Sequence, residues 1–201
     1  MISVVTPHTE NRTVARVAIR TALRELLAAY WQRPTESIRL STHAGRAPAL
    51  LSPTNALGIS ISHAPGCSVA AIHLQCAVGI DVMRTGADLP GSDGAAAEVD
   101  RLAHDYLGPA TRWLLAQTAP TERTAAFAQA WSQWEAKLKC LGLGLTEWTP
   151  ALGQALDRCR VMVLDLPDTL CGAMAVGPDI RSIRDAQPGV LQAESDRSSG
   201  Y

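Results

Sequence analysis

The sequence is poor in the features that would place it at a glance. Its five cysteines (Cys67, Cys76, Cys140, Cys159, Cys171) contain no CxxC pair. That argues against a zinc site or a disulfide frame, and an odd number in apolar surroundings suits buried thiols in a reducing cytosol. No uninterrupted apolar run is long enough to span a bilayer. The opening residues, MISVVTPHTENR, lack the basic start and apolar core of a signal peptide. Charge of one sign is also missing: 18 Lys and Arg balance 19 Asp and Glu, net −1. There is thus no electrostatic case for a nucleic-acid or anionic-membrane partner. No internal repeat is visible. The expectation is a soluble, cytoplasmic protein. What is present is 47% hydrophobic and 18% charged residues over 201 positions, enough for one sizeable core-forming domain or two small ones.

Taken in order, residues 13–32 read as a helix with Val17, Leu23, Leu27 and Tyr30 on its apolar face and Pro34 beyond its end. Arg16, Arg20 and Arg24, spaced by four, form a basic ridge that either is solvated or grips a polyanion. SIRLST (37–42) and the turn-like HAGRAPALL (43–51) follow. In ALGISISHAPG (56–66), Ile59 and Ile61 alternate with Ser60 and Ser62, the period of a half-buried strand, and His63 stands near its end. Neighbours on a strand face opposite ways, and no G-x-S-x-G elbow surrounds them, so a hydrolase triad is disfavoured. A phosphate-binding turn or a structural histidine remains. Residues 68–74 and 76–83 predict two strands joined near Gln75. The second is nearly all apolar, and Asp81 interrupts it. A carboxylate there is costly unless paired or metal-bound.

RTGADLPGSDG (84–94) has linker composition and marks a boundary: an N-terminal α+β half at 1–90, a C-terminal α+β half at 91–184, and a polar, flexible tail at 185–201. Helices are expected at 95–108, 110–117 and about 124–141, and a hairpin at 158–166 and 169–177. The last helix is the most informative. At 100° per residue, Phe127, Trp131, Trp134, Leu138 and Leu141 form a buried stripe. Glu135 and Lys139 stand beside it one turn apart, with Gly142 and Gly144 as the stop. On spacing alone this is either a solvated i,i+4 pair or a carboxylate and an ammonium set to hold a metal and a phosphate.

Several stretches together resemble the 4′-phosphopantetheinyl transferase superfamily, in particular its longer single-chain type that activates surfactin-synthetase-like enzymes. The family's G-[IV]-D-x-[ED] strand reads here Gly79-Ile80-Asp81-Val82-Met83. Its W-[ST]-x-K-E-[AS]-x-x-K helix reads Trp131-Ser132-Gln133-Trp134-Glu135-Ala136-Lys137-Leu138-Lys139. The upstream Ser-His motif appears as Ile61-Ser62-His63. A Gly-Lys-Pro turn appears, altered, as Gly45-Arg46-Ala47-Pro48. The order matches from about Arg16 to Gly144.

The resemblance implies a pseudo-dimer of two α+β halves with coenzyme A in the cleft between them. Magnesium, with manganese as the alternative, would sit on the pyrophosphate, held by Asp81 and Glu135. Two carboxylates plus water and phosphate oxygens suit such an ion. Lys139 would neutralise the phosphoryl group, Ser62 and His63 would bind the 3′-phosphate, and Arg46 and Arg24 would lie near the nucleotide. The implied reaction moves the phosphopantetheine arm to a serine of an apo acyl, polyketide or peptidyl carrier protein, releasing 3′,5′-ADP. An acidic carrier would meet basic residues such as Arg112 or Lys137, and a monomer suffices.

Three departures stand out. Met83 replaces a carboxylate, and a thioether is a poor magnesium ligand. Trp134 replaces a lysine. The segment 106–113 lacks a carboxylate, leaving Glu135 or a water on the metal as candidate base. A non-catalytic relative that binds coenzyme A or a carrier protein is the competing expectation.

Overall fold

The computed structural model describes residues 2–6, 11–41, 48–52, 57–85 and 95–179. Arg46, most of the 84–94 stretch and the 185–201 tail lie outside them. Helix and strand are mixed, an α+β chain. The elements are β1 (Ile2–Thr6), α1 (Arg12–Trp31), a 3-10 turn (Thr35–Ser37), β2 (Arg39–Leu40), β3 (Leu50–Ser52), β4 (Gly58–Ala64), β5 (Cys67–His73) and β6 (Cys76–Arg84). Then come α2 (Ala95–Tyr106), α3 (Pro109–Gln117), α4 (Pro120–Cys140), α5 (Pro150–Leu156), β7 (Arg160–Val163) and β8 (Leu170–Asp179). Strand β1 and helix α5 are additions to the sequence reading, and α4 starts four residues before the expected 124, with Pro120 in its first turn.

Two antiparallel sheets, ordered β1-β5-β4 and β6-β8-β7, carry the architecture, with β2-β3 as a small separate pair. The chain changes sheets between β5 and β6, ahead of the polar 84–94 stretch. β6 therefore precedes the expected linker yet pairs with β8, Asp81 opposite Ala173. The two sheets meet along β4 and β6. Ser60 Oγ accepts the Ile80 amide at 3.0 Å and Ser62 Oγ accepts the Val82 amide at 3.3 Å. Both contacts advance by two residues, so the strands run in step. A Cβ at Gly58 would strike the Cys76 carbonyl, which is how closely the edges abut.

Helix α1 packs on the first sheet. Asn11 caps it by accepting from Thr13 and Val14 amides. Its buried face is Ala15, Ile19, Leu23, Leu27 and Ala28, not the face expected from Val17 and Tyr30. Val17 is 62% exposed and Tyr30 half exposed. The physical reason is phase: Ile19, Leu23 and Leu27 recur every four residues, while Val17 lies 200° from Ile19. Small Ala15 and Ala28 complete the stripe instead.

Helix α4 lies on the second sheet. Phe127, Trp134 and Leu138 are buried with Val99, Ala103 and Leu156, and Trp131 and Leu141 pack against the same cluster. The opposite side of α4 touches β6 so closely that a Cβ at Gly79 would overlap the Ala136 carbonyl and the Cys140 amide. Only glycine permits that approach. The helix ends in a Schellman turn: Leu143 N–H donates to the Leu138 carbonyl at 2.9 Å and Gly142 N–H to Lys139 at 3.1 Å, with Gly142 at φ +69°. None of the five cysteines is in a disulfide, and four are buried. Among the described residues no helix is long and apolar enough to cross a membrane.

Candidate active site

The site lies where the β4/β6 joint runs under α4. Asp81 is presented by β6 and buried. Lys139, in the last turn of α4, reaches it from above, its Nζ donating to Asp81 Oδ1 at 2.6 Å. The same ammonium stands 3.8 Å from Glu135 Oε2. Ser62, from β4, donates to Asp81 Oδ1 at 2.7 Å, and Lys139 Nζ is 3.4 Å from Ser62 Oγ. Four residues from three elements thus converge. The close contact at Gly79 sets their spacing, since it brings the α4 backbone onto β6 two residues from Asp81.

Burial answers the question that Asp81 raised. A carboxylate in an apolar strand requires partners, and it has an ammonium and a hydroxyl. Glu135 is less well provided. Burial pushes its pKa upward, Lys139 pulls it down, and the Asp81 charge pushes it up again. A carboxylate kept more basic than usual is suited to accepting a proton.

Strand alternation sends the neighbouring His63 the other way. Its Nδ1 is 2.7 Å from Ser68 Oγ, and the ring is half-buried. Its pKa is lowered by burial first, then by Arg16, Arg12, Lys139 and Arg20. These cations share an anion-attracting field around the ring. Arg24 is employed differently: its guanidinium donates to the Ile38 and Thr35 carbonyls at 3.1 and 3.3 Å, pinning the segment after α1. Arg20 likewise donates to the Ser41 carbonyl at 2.6 Å. Arg46 is outside the described residues.

Met83 lies on β6 two residues from Asp81 and so on the same face, but its thioether adds nothing to a hard-ion site. Trp134 belongs to the core, 8% exposed, with Nε1 lacking a hydrogen-bond partner. It does not enter the carboxylate cluster. On that far face of α4, Trp134, Lys137, Gly108, Trp148 and Gln154 line a groove of about 420 Å³. Lys137 there is 3.9 Å from Asp157.

Sequence reasoning missed Arg12 in the field around His63 and the structural stitch that Ser60 makes between β4 and β6. Ser60 had a signal, since it alternates with Ser62. Arg12 had a weaker one, extending the four-residue arginine spacing by one turn.

The donor set fits a divalent ion that takes few protein ligands. Among the described residues no three His, Cys, Asp or Glu side chains converge, so Asp81 and Glu135 would be the protein's share. Magnesium, which keeps waters and binds substrate phosphates, is satisfied by such a share.

Residues 77–164, the stretch from β6 to just past β7, match the family model of the 4′-phosphopantetheinyl transferase superfamily. The stretch contains Asp81, Glu135 and Lys139, while Ser62, His63 and Arg24 precede it. No curated protein matches the chain.

Proposed function

We propose that the chain transfers the 4′-phosphopantetheine arm of coenzyme A to a serine of an apo acyl, polyketide or peptidyl carrier protein. One observation carries the reading. Asp81, Glu135 and Lys139, 54 to 58 residues apart across the β6–α4 interval, meet on a single ammonium, and all three lie inside the matched domain.

In this reading coenzyme A lies in the cleft of a pseudo-dimer of two α+β halves, divided between β5 and β6 instead of at residue 90 and meeting at the β4/β6 joint. The carrier serine hydroxyl attacks the β-phosphorus. A serine oxygen–phosphorus bond forms as the bridging oxygen–phosphorus bond breaks, and 3′,5′-ADP leaves with the electron pair. Glu135 takes the hydroxyl proton. Lys139 offsets charge on the phosphoryl oxygens in flight. Asp81 and Glu135 would hold magnesium, or manganese, which when bound would neutralise pyrophosphate charge. His63, amid Arg12, Arg16 and Arg20, would receive the 3′-phosphate.

The contribution of Ser62 and His63, from before the matched stretch, supports the longer single-chain type. One chain supplying both halves supports a monomer, and unpaired buried thiols support a cytoplasmic setting.

The test is the intact mass of an apo carrier protein after incubation with this protein, coenzyme A and Mg²⁺, with an EDTA control. The expected result is a gain of one phosphopantetheine, absent with EDTA. Coenzyme A binding without any gain across several carrier classes would favour a non-catalytic relative. The departures at Met83 and Trp134 are the observations on that side.

A further inference from the structure

Adjacent in sequence, Ser62 and His63 invite assignment to one phosphate, but their surroundings divide them. We infer that the Ser62 hydroxyl positions Asp81 and is not a ligand of the 3′-phosphate; this rests on the transferase reading above.

A serine hydroxyl has one hydrogen to donate and two lone pairs to offer. The Ser62 hydrogen goes to Asp81 Oδ1 at 2.7 Å. Its lone pairs face the Val82 amide at 3.3 Å and the Lys139 ammonium at 3.4 Å. All three places are taken, and the residue is 6% exposed. A phosphate oxygen could bind it only by breaking a bond that Asp81, β6 or Lys139 uses.

The arrangement also decides which oxygen of Asp81 stays available. Ser62 and Lys139 both act on Oδ1, so Oδ2 is the oxygen turned over to a cation. The hydroxyl is itself anchored by the Val82 amide, on the residue that follows Asp81. A backbone amide therefore fixes a side chain, which fixes the rotamer of a carboxylate. Groups behind a metal-binding carboxylate act in this way, and losing one typically weakens metal affinity by about 10–100-fold.

Ser60 supplies an internal control. It accepts the Ile80 amide at 3.0 Å and is buried, so it makes the same inter-strand bond. Among the described residues its hydroxyl meets no carboxylate. Ser60→Ala removes a stitch between the sheets, whereas Ser62→Ala removes a stitch and the hold on Asp81.

The experiment compares the full-length wild type, Ser62→Ala, Ser62→Cys and Ser60→Ala. Mn²⁺ affinity is measured by titration without coenzyme A, and KM for coenzyme A and for 3′-dephospho-coenzyme A by transfer assay. Ser62→Ala should weaken Mn²⁺ binding about tenfold or more and leave the ratio of the two KM values at the wild-type figure. Ser60→Ala should change neither. Ser62→Cys, close in size with a weaker donor, should lose part of the Mn²⁺ affinity and serves if the alanine variant does not fold. A wild-type Mn²⁺ affinity in either Ser62 variant, with KM rising for coenzyme A alone, overturns the inference and returns Ser62 to the phosphate. A wild type that binds Mn²⁺ but transfers nothing overturns the transferase reading instead, and the Mn²⁺ series still decides whether Ser62 holds Asp81. A wild type that binds no Mn²⁺ overturns the assignment of Asp81 as a metal ligand, and the Ser62 inference with it.

Discussion

The Lys139 ammonium lies 2.6 Å from Oδ1 of Asp81, although 58 residues separate them in the chain. The pair joins the end of α4 to the middle of β6, and Glu135 shares the ammonium at 3.8 Å. Asp81→Ala should abolish transfer while leaving the fold intact by circular dichroism. Lys139→Met should lower kcat by about 10²–10³, the usual loss when one stabilising donor is removed. A double-mutant cycle on Asp81→Asn and Lys139→Met, read by urea unfolding, should give a coupling of about 0.5–3 kcal/mol. Independent, additive effects would mean the contact is not a working ion pair.

Burial raises the Glu135 pKa, and the Lys139 ammonium offsets only part of that rise. The sign follows from linkage. A carboxyl whose pKa is raised on folding adds stability below its ordinary value of 4.5, and that contribution is lost as pH rises through the folded pKa. Ionising the group costs more in the folded protein than in the unfolded chain. Glu135→Gln should therefore melt higher than wild type at pH 7, with the difference shrinking toward pH 4, while transfer is lost. A variant that melts lower at pH 7 would show that the Lys139 contact outweighs the burial.

His63 titrates below the ordinary 6.5 because it is half-buried and faces arginines. Its neutral form is favoured by folding, so this share of stability is present above 6.5 and is lost as pH falls through the lowered pKa. A phosphate placed beside it would oppose the arginine charges and raise that pKa. In NMR titrations, coenzyme A should move the His63 pKa upward and 3′-dephospho-coenzyme A should move it less. Equal shifts would remove His63 from the 3′-phosphate site.

Gly79 is where α4 touches β6. Gly79→Ala places a methyl group against backbone atoms of Ala136 and Cys140, which cannot rotate away. A loss of about 1–3 kcal/mol is expected, as for other overpacked sites, together with lower kcat because Glu135 and Lys139 ride on the displaced helix. Unfolding midpoints and kcat measured on the same preparation check both. A variant as stable and as active as wild type would mean the helix does not need this close approach.

The reading of α4 from sequence succeeded because a 3.6-residue period is a local property. Phe127, Trp131, Trp134, Leu138 and Leu141 all pack on one cluster, and Gly142 takes the left-handed turn that stops the helix. The same logic misjudged α1. Val17 and Tyr30 are large and apolar, but Ala15 and Ala28 are the residues buried beside Ile19, Leu23 and Leu27. Composition suggests a face, and packing chooses its phase.

The chain's amino acids alone determined that Asp81 needs a partner, that Glu135 and Lys139 share a helix edge, and that Ser62 and His63 diverge. Each follows from burial cost or from a fixed local period. Only the tertiary structure decided that Lys139 is the partner of Asp81, that β6 pairs with β8 rather than with the strand before it, and that Ser62 faces the carboxylate. Those contacts join residues 19 to 103 positions apart. Such distances are closed by the fit of whole surfaces, here α4 onto β6 at Gly79 and β4 onto β6 through two serines, and no short stretch of sequence encodes that fit.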